Sequence, residues 1–324
     1  MTTIHQIPFA AYRRLPGTNS SALSDLRVSP LLYQRRHQDV CDACGHDCMS
    51  NPVVDTSGAR VCPECGATLV GRPRPDTAAM KLGRALHSVV LEPDTTILEY
   101  TVYREPKSRG EGARTRWQEF EAAAIREGKT VLDVADYDVC MAARRAVYRS
   151  ADALPLIATA THREISITWT HRSGERMKSR IDMLTPDCIV DLKSTRDISK
   201  WRFGSDAKRL GYHVQAAVYT DAVEAATGRR LPYLILAPQN CEPFDVAVFS
   251  LPDEAIQRGR DSYEAALETL QRCRRERRWP GMHDGIQPLE MPTYDETTDL
   301  ADPTGLGLDW EHDDNEGQAA AEAS

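Results

Sequence analysis

Asp182, Asp191 and Lys193 stand inside two short apolar runs, in the stretch "SRIDMLTPDCIVDLKST" at 179–195. Side chains alternate faces along a strand, so in "CIVDLK" Ile189, Asp191 and Lys193 share one face and Val190 and Leu192 the other. A hairpin through the "TPD" turn sets Asp182 beside Asp191. Two carboxylates and an ammonium then meet on one sheet surface. An isolated charge taken out of water is costly, and a bound cation offsets that cost. Hard divalent ions such as Mg²⁺ take carboxylate, carbonyl and water oxygens, so the chemistry this trio suits is metal-assisted. A solvated, salt-bridged hairpin face would carry the same residues, and this stretch alone leaves both readings open.

A second constellation is "CDACGHDCMSNPVVDTSGARVCPECG". Cys41-x2-Cys44 and Cys62-x2-Cys65 are separated by 17 residues, a spacing that points to a structural zinc site. A glycine follows each pair (Gly45 and Gly66) and suits the tight turn of a metal knuckle. His46 and Cys48 are spare potential ligands, and an iron–sulfur cluster is the alternative. A site closed by four protein ligands leaves no position for water, so its expected role is folding or docking.

The elements that must position these residues are legible from pattern. A helix is expected within 20–37, capped by Ser20 or Ser21 and broken at Pro30, and another over 77–92, ending before Pro93. Residues 104–116 read as a mobile charged loop, with helices at 117–127 and 136–150. Strands are expected at 162–170, 176–184 and 188–193. "RLGYHVQAAVYTDAVEAATG" reads as a helix closed by Gly228. "LPYLILAP" and "FDVAVFSL" read as strands, and 253–277 as a basic amphipathic helix. The order implies an α/β core with a helical N-terminal part.

Composition bounds the function classes. The chain has 324 residues and nine cysteines. It has no apolar run long enough for a membrane span and no signal-peptide core. A cytoplasmic protein without a disulfide framework is expected. The net charge of −8 is concentrated at one end, because residues 291–324 hold ten acids and no Lys or Arg. Without them the body has 38 acidic and 40 basic residues, or +2. Basic clusters such as "WRFGSDAKRLGYH" (201–213) and "QRCRRERRW" (271–279) fit a phosphate-bearing partner or a solvated helix face equally well.

"SALSDLRVSPLLY", "GRALHSVVLEP", "HREISITW", "SRIDML", "IVDLKST" and "YHVQAAVY" follow one another in an order that resembles the PD-(D/E)XK nuclease superfamily. Within it, the chain looks most like the RecE (exonuclease VIII) type of phage recombination exonuclease. The resemblance covers roughly 20–37 and 73–290. It implies a restriction-endonuclease-like core with a mixed central sheet flanked by helices; the small zinc-ribbon insertion read from the cysteine spacing is a departure from the RecE pattern. Together with the cysteine spacing and the acidic composition, the expected layout is 1–37 as an N-terminal helical part, 38–72 as the zinc ribbon, 73–290 as the nuclease core and 291–324 as an acidic disordered tail. Asp191 stands where many relatives carry Glu. Related nucleases hold an iron–sulfur cluster with cysteines flanking the core; here all four precede it, which favours Zn²⁺.

By the same resemblance, Asp182 and Asp191 bind Mg²⁺ (Mn²⁺ can substitute), joined by the backbone carbonyl of Leu192. Lys193 orients or helps deprotonate the attacking water. His87 is a further metal ligand, although its place on the apolar stripe of Gly83 and Leu91 also fits a core histidine. Glu164 is an additional acid near the metal. Gln215 and Tyr219, four apart on one helix face, contact substrate or brace the site. The implied activity is Mg²⁺-dependent exonuclease action on linear duplex DNA ends, 5′→3′, leaving 3′ single-stranded tails. The implied partners are a single-strand annealing protein and further copies of the chain in a homo-oligomer, with a phage or bacterial origin. The alternatives are a docking module with a vestigial nuclease core, or a nuclease of the same superfamily with endonuclease or single-strand preference. Replacing Asp191 is expected to spare the metal-free fold or even stabilise it, because like carboxylates repel.

Overall fold

The computed structural model describes residues 2–37, 44, 53–54, 60–67, 77–105, 110–283 and 285–289. Met1–Asp284 form one compact unit and Gly285–Ser324 a second, whose described residues 285–289 carry neither helix nor strand. Cys41, His46, Cys48 and the acidic stretch 291–324 lie outside the described residues.

In chain order the elements are β1 (Thr3–His5), α1 (Phe9–Arg14), α2 (Ser20–Val28), α3 (Pro30–His37), β2 (Val53–Val54), β3 (Arg60–Val61), α4 (Ala78–Leu91), α5 (Thr96–Glu99), β4 (Tyr100–Tyr103), α6 (Glu111–Arg126), β5 (Thr130–Asp133), α7 (Val134–Arg149), α8 (Ala153–Thr159), β6 (His162–Thr170), β7 (Arg176–Leu184), β8 (Ile189–Leu192), α9 (Lys200–Arg209), α10 (Tyr212–Thr227), β9 (Tyr233–Pro238), β10 (Val246–Ser250) and α11 (Asp253–Glu276). The main sheet runs β1-β6-β7-β8-β9-β10. All its neighbours are antiparallel except β8 and β9. That parallel pair needs a crossover connection, which α9 and α10 supply. The fold is therefore the mixed α/β sheet flanked by helices that the sequence implied.

Two apolar clusters cover the two faces of the sheet. Leu23 and Leu26 of α2, Val214 and Val218 of α10 and Leu267 and Leu270 of α11 pack with Ile189 and Ile235. Leu86 and Val90 of α4, Val147 of α7 and Ile157 of α8 pack with Val190, Leu192 and Leu236. Strand alternation on β8 thus divides its apolar residues between the faces and leaves Asp191 on the face of Ile189. A buried Leu or Val side chain stabilises by about 1.5–3 kcal/mol, so α4 is held by its Leu86–Val90 stripe and its Thr77 cap.

Several local expectations need correction. Asn19, not Ser20 or Ser21, caps α2: its side-chain oxygen accepts from Ala22 N at 2.9 Å. The charged stretch read as a loop up to 116 is helical from Glu111, because Ala113 and Ala124 turn inward while Trp117 and Phe120 pack on Tyr103 and Val131. The sequence pattern did not reveal β1, α1 or α9. α9 and α10 are separate helices because Gly211 takes a left-handed conformation, φ 73°, between them. α10 is then fixed against α11 almost backbone to backbone: a Cβ added at Gly259 would stand 2.0 Å from the His213 carbonyl oxygen.

Candidate active site

The register of the sheet aligns three acids. Arg163 pairs with Met183 and Ile165 with Ile181, so Glu164 of β6 falls across from Asp182 of β7. Met183 pairs with Val190 of β8, and one further step puts Asp182 across from Asp191. The hairpin expectation for Asp182 and Asp191 rests on this same alignment. Glu164 itself is left out of the ladder and has φ 50°. A non-glycine residue in that region carries backbone strain of about 1–3 kcal/mol. At Asp182 the ladder changes partner too: Leu192 N donates to Asp182 Oδ2 at 2.8 Å. Nearby, Ile181 joins the first cluster and Met183 the second, so the alternation slips between them.

His87 comes from the opposite layer, on α4. Its Nδ1 lies 3.5 Å from Asp182 Oδ2 and 3.7 Å from Glu164 Oε1. His87, Glu164 and Asp182 place one ligand atom each within 4.8 Å of the others. Asp191 lies outside that trio, beside it. It is completely buried; Gln215 Nε2 donates to its Oδ1 at 3.2 Å, and Lys193 Nζ stands 2.7 Å from its Oδ2. Asp191 and Lys193 thus form a buried ion pair. Tyr219 is buried, meets Gln215 through its hydroxyl and lies edge-on to Tyr233 at 6.4 Å. Gln215 therefore contacts Asp191 from within the core, with Tyr219 behind it.

Two contacts had no place in the sequence reading. Arg180 Nε donates to Glu164 Oε2 at 2.6 Å, and its Nη1 donates to the Ile7 carbonyl at 2.8 Å. The available signal was spacing, since Arg180 precedes Asp182 by two on the same strand. The Lys193 ammonium also lies 5.3 Å from the Tyr212 ring centroid, a contact across the α10 N-terminus that no local pattern contains.

The electrostatics are those of a strongly coupled, dehydrated cluster. Burial, and then the neighbouring Asp191 and Glu164, push Asp182 up to about 7. Burial pulls His87 down, but Asp182 and Glu164 outweigh it and raise the imidazole to about 9. Burial also opposes charge on Glu164, yet His87 and Arg180 hold it below the usual carboxylate range. Lys193 loses hydration, but Asp191 and Asp182 more than restore its preference for the ammonium form.

The donor set fits a hard divalent cation. It offers one imidazole and carboxylates from neighbouring strands, with the buried Asp191 beside them. Such ions select carboxylate and carbonyl oxygen, and two or three acids this close are favourable once a dication replaces their protons.

Away from the main sheet, Cys44 Sγ and Cys62 Sγ are 3.6 Å apart, and Cys65 brings a third thiol within 4.8 Å of both. The β2–β3 hairpin leads into this group. Gly66 closes a tight turn, with φ 72° and its N–H donating to the Cys62 carbonyl at 2.9 Å. Thiolates so grouped suit Zn²⁺. The expected fourth ligand, Cys41, lies outside the described residues.

A family model described as a PDDEXK-like domain of unknown function (DUF3799) matches residues 63–290. A solved structure from Eubacterium rectale, described as a candidate exonuclease, is 18% identical. The match covers 69% of this chain and 80% of that one, with a TM-score of 0.47. No curated protein matches. Among the described residues no helix is long and apolar enough to cross a membrane.

Proposed function

The chain belongs to the family of PDDEXK-like domains, and from that membership we propose that it is a divalent-metal-dependent nuclease acting on DNA. The observation that carries this reading is the row Glu164, Asp182 and Asp191 across three adjacent strands, with His87 over one end and Lys193 at the other. An uncompensated row of acids would be expensive to bury. A cation-binding function gives it a reason.

His87, Glu164, Asp182 and Asp191 would hold the metal, with the Leu192 carbonyl as a further oxygen donor. When bound, Mg²⁺ or Mn²⁺ lowers the pKa of water and polarises phosphoryl oxygens. The other roles belong to the chain. Gln215 fixes the rotation of the Asp191 carboxylate through Oδ1, and Tyr219 fixes Gln215 in turn. Arg180 holds Glu164. Lys193 stays an ammonium under the influence of Asp191 and Asp182, so it acts as a positive donor where a phosphate gains charge. That assignment favours orienting water and substrate over deprotonating water, which a charged lysine cannot do. Hydrolysis consumes one water: its oxygen bonds to phosphorus, the bridging P–O bond breaks, and the departing oxygen takes up a proton.

The finer reading follows the RecE resemblance. The substrate is a linear duplex end, degradation runs 5′→3′, and the product is a 3′ single-stranded tail passed to an annealing protein. A homo-oligomer encircling the duplex would account for processive action. The thiolate group serves a structural Zn²⁺, for folding or docking.

The test is incubation of the full chain with Mg²⁺ and linear, circular and single-stranded DNA, beside Asp191→Ala. Digestion of linear duplex alone, lost in the variant, supports the exonuclease. Nicking of circles makes it an endonuclease. No cleavage of any substrate leaves a docking protein with an inactive core.

A further inference from the structure

We propose that the solvent face of α9, centred on Trp201, is a stacking platform for an unpaired nucleotide of the strand that enters the active site. The inference deepens the nuclease reading and rests on it. Trp201 is 78% exposed, an unusual position for the largest apolar side chain. The helix is anchored by its other side. Phe203, two residues on, is buried and stacked on Phe249 with centroids 4.7 Å apart. Residues two apart on a helix point in nearly opposite directions, so anchoring Phe203 turns Trp201 outward.

Positions i, i+3, i+4 and i+7 share a helix face. From Trp201 these are Gly204, Ser205 and Lys208, all exposed. A Cβ at Gly204 would meet nothing within 4 Å. The indole therefore stands beside flat, open ground, with a lysine one further turn along. The segment 196–209 also exposes Arg196, Lys200, Arg202 and Arg209 and holds two acids, Asp197 and Asp206, the latter paired with Arg209 at 3.1 Å. Cationic side chains set around an exposed aromatic ring are what a single strand needs: charge for its phosphates and a π-face for a base.

The sheet register places the packed side of α9, the side of Phe203, near the chemistry. Asp191 pairs with Ile235, and Ile235 with Phe249. Phe249, which carries Phe203, is thus two strands from Asp191 in the same row, about 10 Å at the usual strand spacing. Trp201 lies beyond that anchor, on the outer side of α9. Tyr212 ties the two regions together, touching the Phe203 ring at 6.2 Å on one side and Lys193 on the other. Interior duplex bases are stacked on both faces and a blunt end offers only the outer face of its last pair, so the platform favours DNA whose end is already unpaired.

The experiment measures binding without cleavage, with Ca²⁺ in place of Mg²⁺, on the full chain. The probes are a blunt duplex and the same duplex with an oligothymidine tail. Trp201→Ala should lower the preference for tailed over blunt DNA by about 10-fold, the loss expected for one stacked base, and Trp201→Phe should retain most of it. A lysine and arginine pair, Lys200→Ala with Arg202→Ala, should weaken both probes and flatten the salt dependence. An unchanged tailed-to-blunt ratio in Trp201→Ala overturns the platform. So does an assembly that dissociates in Trp201→Ala at constant ratio, which would give this face to self-association. A parallel Mg²⁺ assay separates the two ideas. Cleavage by the wild type with an unchanged ratio sinks the platform and keeps the nuclease; absence of cleavage sinks the nuclease itself.

Discussion

Arg180 grips Glu164 from the side away from His87. Its Nε donates to Oε2 at 2.6 Å, while Oε1 faces His87 Nδ1 at 3.7 Å. The same guanidinium reaches the Ile7 carbonyl, so the N-terminal segment is tied directly to the acid row. The positive φ of Glu164 is tolerated because both carboxylate oxygens are engaged.

Arg180→Gln should therefore leave a folded protein with impaired metal binding. Partners that orient metal ligands are worth about 10–100-fold in affinity or activity. Mn²⁺ titration of cleavage should show the loss as a higher metal requirement, partly overcome by excess metal. Wild-type metal dependence in the variant would reduce Arg180 to a structural tie.

Asp191→Ala and Lys193→Met should each abolish cleavage, and both should destabilise the metal-free protein. Repulsion among carboxylates alone predicts that losing Asp191 is harmless or helpful. The pairing argues for the opposite outcome, because Lys193 lies 2.7 Å from Asp191 and is itself mostly buried. Removing one partner of a buried pair costs about 3–5 kcal/mol, and Lys193→Met should be the worse, since it strands Asp182 and Asp191 together. The double variant should recover part of the loss. Urea denaturation in chelator gives the comparison; a single Asp191→Ala more stable than wild type would contradict the pairing.

Metal binding should release protons. Without metal the imidazole of His87 is held up to about 9 and Asp182 at about 7. A metal ligand must be deprotonated, so at pH 7.5 binding has to expel the His87 proton. Apparent affinity should rise with pH and level off above about 9. The sign follows from competition: protons occupy the site below the raised pKa and vacate it above. Calorimetry in two buffers of different ionisation heat measures the release; in His87→Ala the remaining release comes from Asp182, whose pKa rises without the imidazolium, and the affinity at pH above about 9 should fall. Affinity unchanged at that pH would make His87 an ion-pair partner, not a ligand.

The purified chain should carry about one zinc, and Cys62→Ser should lose it. Chelation should loosen the β2–β3 hairpin without unfolding the main sheet, because so small an element has no core of its own. Elemental analysis together with limited proteolysis reads both. Iron with sulfide in place of zinc would move the site to the cluster alternative.

The strands that carry the acids were legible because alternation and turn chemistry are local. "CIVDLK" states its own faces, and the "TPD" turn sets the neighbour. The α10 helix, its Gly228 end and the β9–β10 pair were legible for the same reason. The Asn19 cap was missed because propensity ranks Asn and Ser alike at that position, and the start of α6 because packing by Trp117 and Phe120 decided it.

Sequence by itself determined which residues are charged within apolar strands, and the family order pointed to His87 and Glu164. Tertiary structure decided what each one touches. His87 lies 95 positions before Asp182 and reaches it only because α4 packs on the sheet face behind β8. Arg180 reaches Glu164 through strand pairing, and α9 reaches the neighbourhood of Asp191 through Phe203 on Phe249. Periodicity fixes which side of an element a residue faces. It holds no information on which distant element will close over that side, because that choice is made by register and core packing across the whole chain.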